Sequence, residues 1–579
     1  MTEPAAAPAA APRHHMIPSW LSVTGAAPAF LPAAALIGIT GAIINQGHDA
    51  LALSLGLAGA AFLWATHLIP TVGPAAGTTP IPAGLARRFQ SPAVGAMASA
   101  ILICALLILL TAELIAVSGA LAALLQGFPV SPLMIVTAVL AAASLIRWAA
   151  GGSRAAASAA RLAAAVPLAV IALLACLALL SGHDGPGAIA GSPALPDIAN
   201  LERGLIEKHL ADPALFKPFA SPFLRSNAVN TLAVIVCISI GFAILASSSL
   251  HTSNPLAPAE RNRPRVMLLA MIALGLIAPL AVAARRLLLM TVDGGLKADS
   301  LPPWLMNLRP SSALEVCGTP SWSGAAALGK ACGKGAGAQG FMRWHDFSFA
   351  PDGVLMSVLT AQPDTILTNA AIALVLIAAG LAALATARHA AQVFFAAFAR
   401  LAGDPPPQRS WAMFVIVATT WLLAALFAAT KPAPAATLLV WAAAIAAGGL
   451  APALAASRVE NPSRIAALIA LPAGALTALG LILLTRYDAM DAIALTTAFE
   501  PLSPPAMRKL STLWSALSVA QGEVAQAPIL AQMQDLARDN VSWLGLKQLA
   551  AGTWGLVTGT IVMAAGQGVS ALSRRLRSA

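Results

Sequence analysis

The stretch that decides the fold is Ile366–Phe398, ILTNAAIALVLIAAGLAALATARHAAQVFFAAF. A run this long and apolar reads as a helix crossing a bilayer, for which roughly 20 residues suffice. Its only ionisable side chains, Arg388 and His389, sit side by side. An ionisable group at membrane depth costs about 3 kcal/mol or more, and faces a bundle interior or a watery path where it serves function. The plainer alternative places the pair near the cytoplasmic third of the bilayer, snorkelling to the surface.

The rest of the chain agrees. It is 58% hydrophobic and 10% charged, with a mean hydropathy of +0.80. About twelve apolar windows of spanning length follow one another: 27–45, 50–72, 93–125, 129–147, 155–181, 227–249, 266–290, 366–398, 410–430, 434–456, 464–486 and 541–570. The expectation is an all-α polytopic membrane protein. The net charge of +11 would suggest nucleic acid in a soluble chain. Here arginines crowd alternate short loops: Arg87 and Arg88, Arg147 with Arg154 and Arg161, Arg261 with Arg263 and Arg265, Arg400 and Arg409, Arg458 and Arg464, and Arg574, Arg575 and Arg577 at the end. That asymmetry puts both termini in the cytoplasm and makes topology, not nucleic acid, the reason for the charge. The lipid bilayer is the expected partner, with some preference for anionic head groups.

Residues 1–26 read as a disordered cytoplasmic tail. The segments 182–226, 291–365 and 487–540 read as long external loops able to form lids or short helices. Cys104, Cys176 and Cys237 fall in apolar spans as packing groups. Cys317 and Cys332 share one loop, either as a disulfide or as two thiols.

Within the spans, three features carry chemistry. Pro28 and Pro32 either interrupt the first helix, freeing backbone in the membrane, or merely start and kink it. Glu113, in LLTAELIAVSGAL (109–121), is either a proton, cation or substrate site or a neutral carboxyl bonded to a neighbouring helix; Arg388 and His389 are its candidate partners. Ser247, Ser248 and Ser249 bond across helices or, as favoured, back to their own turn. No Gly-rich phosphate loop, metal cluster or nucleophile motif points to an enzyme, and no cofactor is expected.

The order of segments resembles the solute:sodium symporter family, in the branch of cation/acetate and monocarboxylate permeases. AAALIGITGAIINQGHDAL (33–51) is similar to the family's first core helix and the turn after it. GLARRFQSPAVGAMAS (84–99) is similar to its stretch before the third helix. Residues 351–387 resemble its eighth helix and the preceding loop, 439–487 its tenth and eleventh, and WLGLKQLAAGTWGLVTGTIVM (543–563) its last. The resemblance implies an inverted repeat of two five-helix halves, 27–181 and 227–456, with peripheral helices in 457–579. It implies a sodium site from the Pro28 and Leu31 carbonyls and the eighth-helix positions Ala383, Thr386 and Ala387.

The chain departs from that pattern. One hydroxyl is kept as Thr386 and one lost at Ala387, and the acidic residue that usually follows is His389. The fifth-helix Thr and Gln are Ala157 and Ala160, after Gly151 and Gly152. The sixth-helix proline break reads Ile244–Ser247, and a usual Gln is Glu113. A weakened sodium site beside basic groups leaves sodium or proton as coupling ion. The implied function is uptake of a small organic anion such as acetate across a bacterial inner membrane, Arg388 and His389 suiting a carboxylate. The competing expectation is a transport-inactive member serving as a sensor or structural membrane partner.

Overall fold

The structure, a computed structural model, describes residues 27–66, 81–125, 130–149, 165–180, 194–211, 219, 227–252, 263–294, 296, 314–316, 342–344, 347–362, 365–402, 411–497, 504–519, 523–547 and 549–578. The tail 1–26, Gly151, Gly152, Ala157, Ala160, Cys317 and Cys332 lie outside them.

After a 3-10 turn, Ala27–Phe30, α1 runs over Ala34–Ile39 with wide π turns and continues as Thr40–Gln46. The following elements are α2 (Leu51–Ala65), α3 (Ile81–Arg88), α4 (Pro92–Ala122), α5 (Pro132–Ala149), α6 (Ala165–Leu180), α7 (Ala194–Glu207), α8 (Ala228–Thr252) and α9 (Arg263–Asp293). A ribbon of β1 (Leu314–Val316) and β2 (Phe347–Phe349) leads to α10 (Pro351–Thr360). Then come α11 (Ile366–Ala402), α12 (Trp411–Ala429), α13 (Ala435–Ala456) and α14 (Arg464–Tyr487). Three further helices follow: α15 (Ala489–Thr497), α16 (Pro504–Val519) and α17 (Glu523–Asn540). A second ribbon, β3 (Ser542–Trp543) with β4 (Leu546–Lys547), precedes α18 (Thr553–Ser578).

Among the described residues, nine stretches are long and apolar enough to cross a membrane, and α5 and α6 are shorter apolar helices. The first stretch, Ala34–Ala65, is a hairpin rather than one rod. Gly47 ends α1 at φ 71°, in the left-handed region that glycine tolerates. The rings of Phe30 and Trp64 then meet at 5.3 Å. An unbroken helix would hold residues that far apart in sequence about 50 Å apart. With that hairpin counted as two, every expected span has a helical counterpart, and the protein is an all-α polytopic membrane protein.

One boundary moves. The window 541–570 begins as β3 and β4, because Leu544 (φ 52°) and Gly545 (φ 83°) turn the chain back on itself before α18 starts at Thr553.

Local sequence explains the helix starts. Ser91 accepts from the Val94 amide at 3.5 Å with Pro92 in the first turn of α4, and Ser463 accepts from Ala466 at 3.3 Å to open α14. At one end of the bundle, Arg88 donates to the Ser457 and Val459 carbonyls past α13 at 2.7 and 2.6 Å. At the same end, Arg263 donates to Trp64 O at 3.0 Å and lies 4.9 Å from the centre of its ring. Cations placed on helix C-terminal carbonyls also satisfy the local dipole.

The bundle is tightest around α13, where 19 of 22 residues are buried and backbone meets backbone. A Cβ at Gly474 of α14 would strike the Gly448 carbonyl of α13, and one at Gly555 of α18 would come within 2.5 Å of Gly474 O. Small residues let membrane helices approach this closely.

Candidate functional site

A two-residue gap separates the 3-10 turn Ala27–Phe30 from the first long helix. Leu31 and Pro32 are non-helical, and α1 starts with Pro32 O accepting from Ala35 at 2.9 Å and from Leu36 at 3.2 Å. Pro32 cannot extend the preceding turn as a donor, and its fixed φ suits a new helix start. Such a start orphans the first backbone N–H groups, and in a membrane no water compensates them.

Glu113 of α4 takes up those groups. Its Oε2 accepts from the Ala33 amide at 2.5 Å and from the Ala34 amide at 3.3 Å. Its Oε1 accepts from the Thr386 hydroxyl of α11 at 3.3 Å. The side chain is 0% exposed. One carboxyl therefore joins three separate helices at the positive end of the α1 dipole, an arrangement suited to a buried negative charge.

His389 lies one turn along α11 from Thr386, on the same face. It does not reach Glu113. Its Nε2 lies 2.8 Å from Ser248 Oγ of α8, and that hydroxyl also donates to Leu245 O at 2.9 Å. A hydroxyl has one proton; with it on the Leu245 carbonyl, the imidazole Nε2 must carry the hydrogen between them. Ser248 thus does both things expected of the serine cluster, bonding back to its own turn and across to another helix.

Arg388 is turned about 200° around the helix axis from Thr386 and is half-buried. Among the described residues Glu113 is partnered by Ala33, Ala34 and Thr386, so the expectation that Arg388 or His389 pairs with it is corrected. Leu31, Ala383 and Ala387 are all buried, and α11 packs against both α1 and the turn that contains Pro28. Ala383 and Ala387 present methyl groups and have no side-chain ligand atom. Among the described residues no group of three or more His, Cys, Asp or Glu is placed to hold a metal. α8 runs unbroken from Ala228 to Thr252.

Sequence reasoning missed a second buried charge. Arg285 of α9 is 0% exposed and donates to Glu202 of α7 at 2.9 Å and to Ile44 O, in the last turn of α1, at 2.8 Å. Glu202 also accepts from the Phe219 amide at 2.7 Å. The pair ties the far end of α1 to a helix of the 182–226 segment. An arginine inside the window 266–290 was the available signal.

A substrate-bound, outward-open Na+-coupled sialic acid symporter matches the chain with a TM-score of 0.54 at 10% identity, over 95% of this chain and 89% of that one. The chain shares the fold of that protein. No family model matches the sequence, and no curated protein matches it.

Proposed function

We propose that the chain is a secondary transporter that couples movement of a cation, in our reading a proton, to uptake of a small monocarboxylate such as acetate. The observation that carries this is the Glu113 carboxyl, buried between the gap before the first long helix and Thr386. Broken helices at the midplane with ionisable groups beside them are how secondary transporters build their sites, and the symporter fold supports the class. A proton fits better than sodium because one of the two eighth-helix hydroxyl positions, Ala387, has no side-chain oxygen. A carboxyl can carry a proton with no further ligand. On this reading 27–181 and 227–456 form the two halves of an inverted repeat, and both termini face the cytoplasm of a bacterial inner membrane.

The unbroken α8 favours a second reading, a member that has lost transport and acts as a sensor or structural partner. Uptake of labelled acetate or pyruvate into proteoliposomes separates the two. Accumulation that follows an imposed pH gradient and ignores sodium supports the first. Accumulation that needs sodium overturns the proton assignment. No uptake across a panel of monocarboxylates supports the second.

A further inference from the structure

Away from the arginine-rich end of the bundle, α10 is driven into the helices around the site by its first turn. Pro351 and Asp352 sit where three glycines leave room. A Cβ at Gly41 of α1 would collide with the Pro351 carbonyl. One at Gly119 of α4 would lie 2.8 Å from Asp352 Cβ and 2.9 Å from Asp352 O, and one at Gly38 would lie 3.4 Å from Asp352 Oδ1. The Asp352 carboxyl, 9% exposed, accepts from the Ala435 amide at 3.1 and 3.3 Å, at the start of α13. Just before α10, Phe349 O accepts from Asn45 Nδ2 at 2.9 Å. A ten-residue helix outside the spans is thus wedged among α1, α4 and α13 through one aspartate.

We infer that Asp352 is a proton-binding site, and that a proton on it holds α10 in its glycine seat, so that losing the proton lifts α10 out of the bundle. The inference stands apart from the transport reading and needs neither substrate nor gradient.

Among the described residues the seat buries the carboxyl and brings no cation to it. α1 and α13 carry no titratable side chain within their ranges. Of the other elements packed on α10, α4 brings Cys104 and Glu113 and α6 Cys176. α9 brings Arg285 and Arg286, paired with Glu202 and Asp197 of α7, and Asp293, paired with Lys208 just past α7; α11 brings Arg388 and His389. None of these hydrogen-bonds to Asp352. Burial pushes the carboxyl up to about 7, with the Ala435 amide pulling the other way. A carboxyl released to water titrates near 4. The seated form therefore binds the proton more tightly than the lifted form, so acid favours the seat and rising pH opposes it.

Hydrogen–deuterium exchange of the full chain in nanodiscs, read on the 351–360 segment and corrected for the intrinsic pH dependence of exchange, tests this. The expected loss of protection from pH 5 to pH 8 is on the order of 100-fold. Asp352→Asn, neutral at every pH, is expected to stay protected throughout. Gly119→Ala, which crowds the seat without touching the charge, is expected to be unprotected at both pH values. Flat protection in the wild type overturns the inference, as does a wild-type slope in Asp352→Asn. If the Asn variant does not fold, a wild-type slope retained by Gly119→Ala overturns it.

Discussion

Removing the Glu113 charge and removing its hydrogen bonds are separable experiments. In Glu113→Gln the amide oxygen still accepts from Ala33 and Ala34, and the new NH2 group faces the Thr386 hydroxyl, which turns to accept. Shape and bonding survive, so the stability change should stay within about 1 kcal/mol. In Glu113→Ala two backbone amides at a dry helix start lose their acceptor, together with the Thr386 hydroxyl. Each orphaned buried group costs about 1–3 kcal/mol, and a helix that loses its cap loses about 1 kcal/mol. The alanine variant should therefore be less stable than the glutamine variant by about 3 kcal/mol or more. Denaturation of both in the same detergent measures this gap. In proteoliposomes, glutamine should abolish accumulation driven by a pH gradient while leaving the protein folded. Equal stability of the two variants would refute the capping argument. Undiminished proton-driven accumulation by the glutamine variant would refute the coupling argument.

Three other outcomes follow from the geometry. His389→Asp replaces a base with an acid near Thr386, and uptake should gain a dependence on sodium, read from initial rates with and without the ion. Arg285→Met removes the guanidinium from the buried Glu202 carboxylate and should destabilise by about 3–5 kcal/mol; adding Glu202→Gln should recover part of that in the same melt. Gly474→Ala, whose methyl meets the Gly448 backbone, should cost about 1–3 kcal/mol. Gly480→Ala on the same helix meets nothing within 4 Å and should be neutral or stabilising by up to about 1 kcal/mol.

The spans were legible because hydrophobic length is written along the chain and needs no partner to be read. Glu113 was legible for the same reason, as a charge where none is cheap. What the sequence could not show was azimuth. Arg388 and His389 are neighbours in the chain, yet they lie about 100° apart around α11, and the face of Thr386 and His389 belongs to different partners at each turn. The 541–552 error has a similar origin: Trp543, Leu544 and Leu546 are apolar enough for a span, but Gly545 at φ 83° makes them a hairpin. Asp352 was passed over as part of a loop. Its signal was local, a Pro-Asp-Gly opening before an apolar stretch, which is how a helix begins. Its importance depends on glycines more than two hundred residues away, and only three-dimensional contact reveals that.

The glycine contacts among α13, α14 and α18 have a practical corollary. Helices that touch through their main chains have no soft side-chain layer to shear, so α14 and α18 are welded to α13 although they stand at the edge of the bundle. Spin labels on the outward faces of α14 and α18 should hold a constant separation in every functional state. That makes the pair an internal ruler against which the travel of α1, α10 and α11 can be gauged.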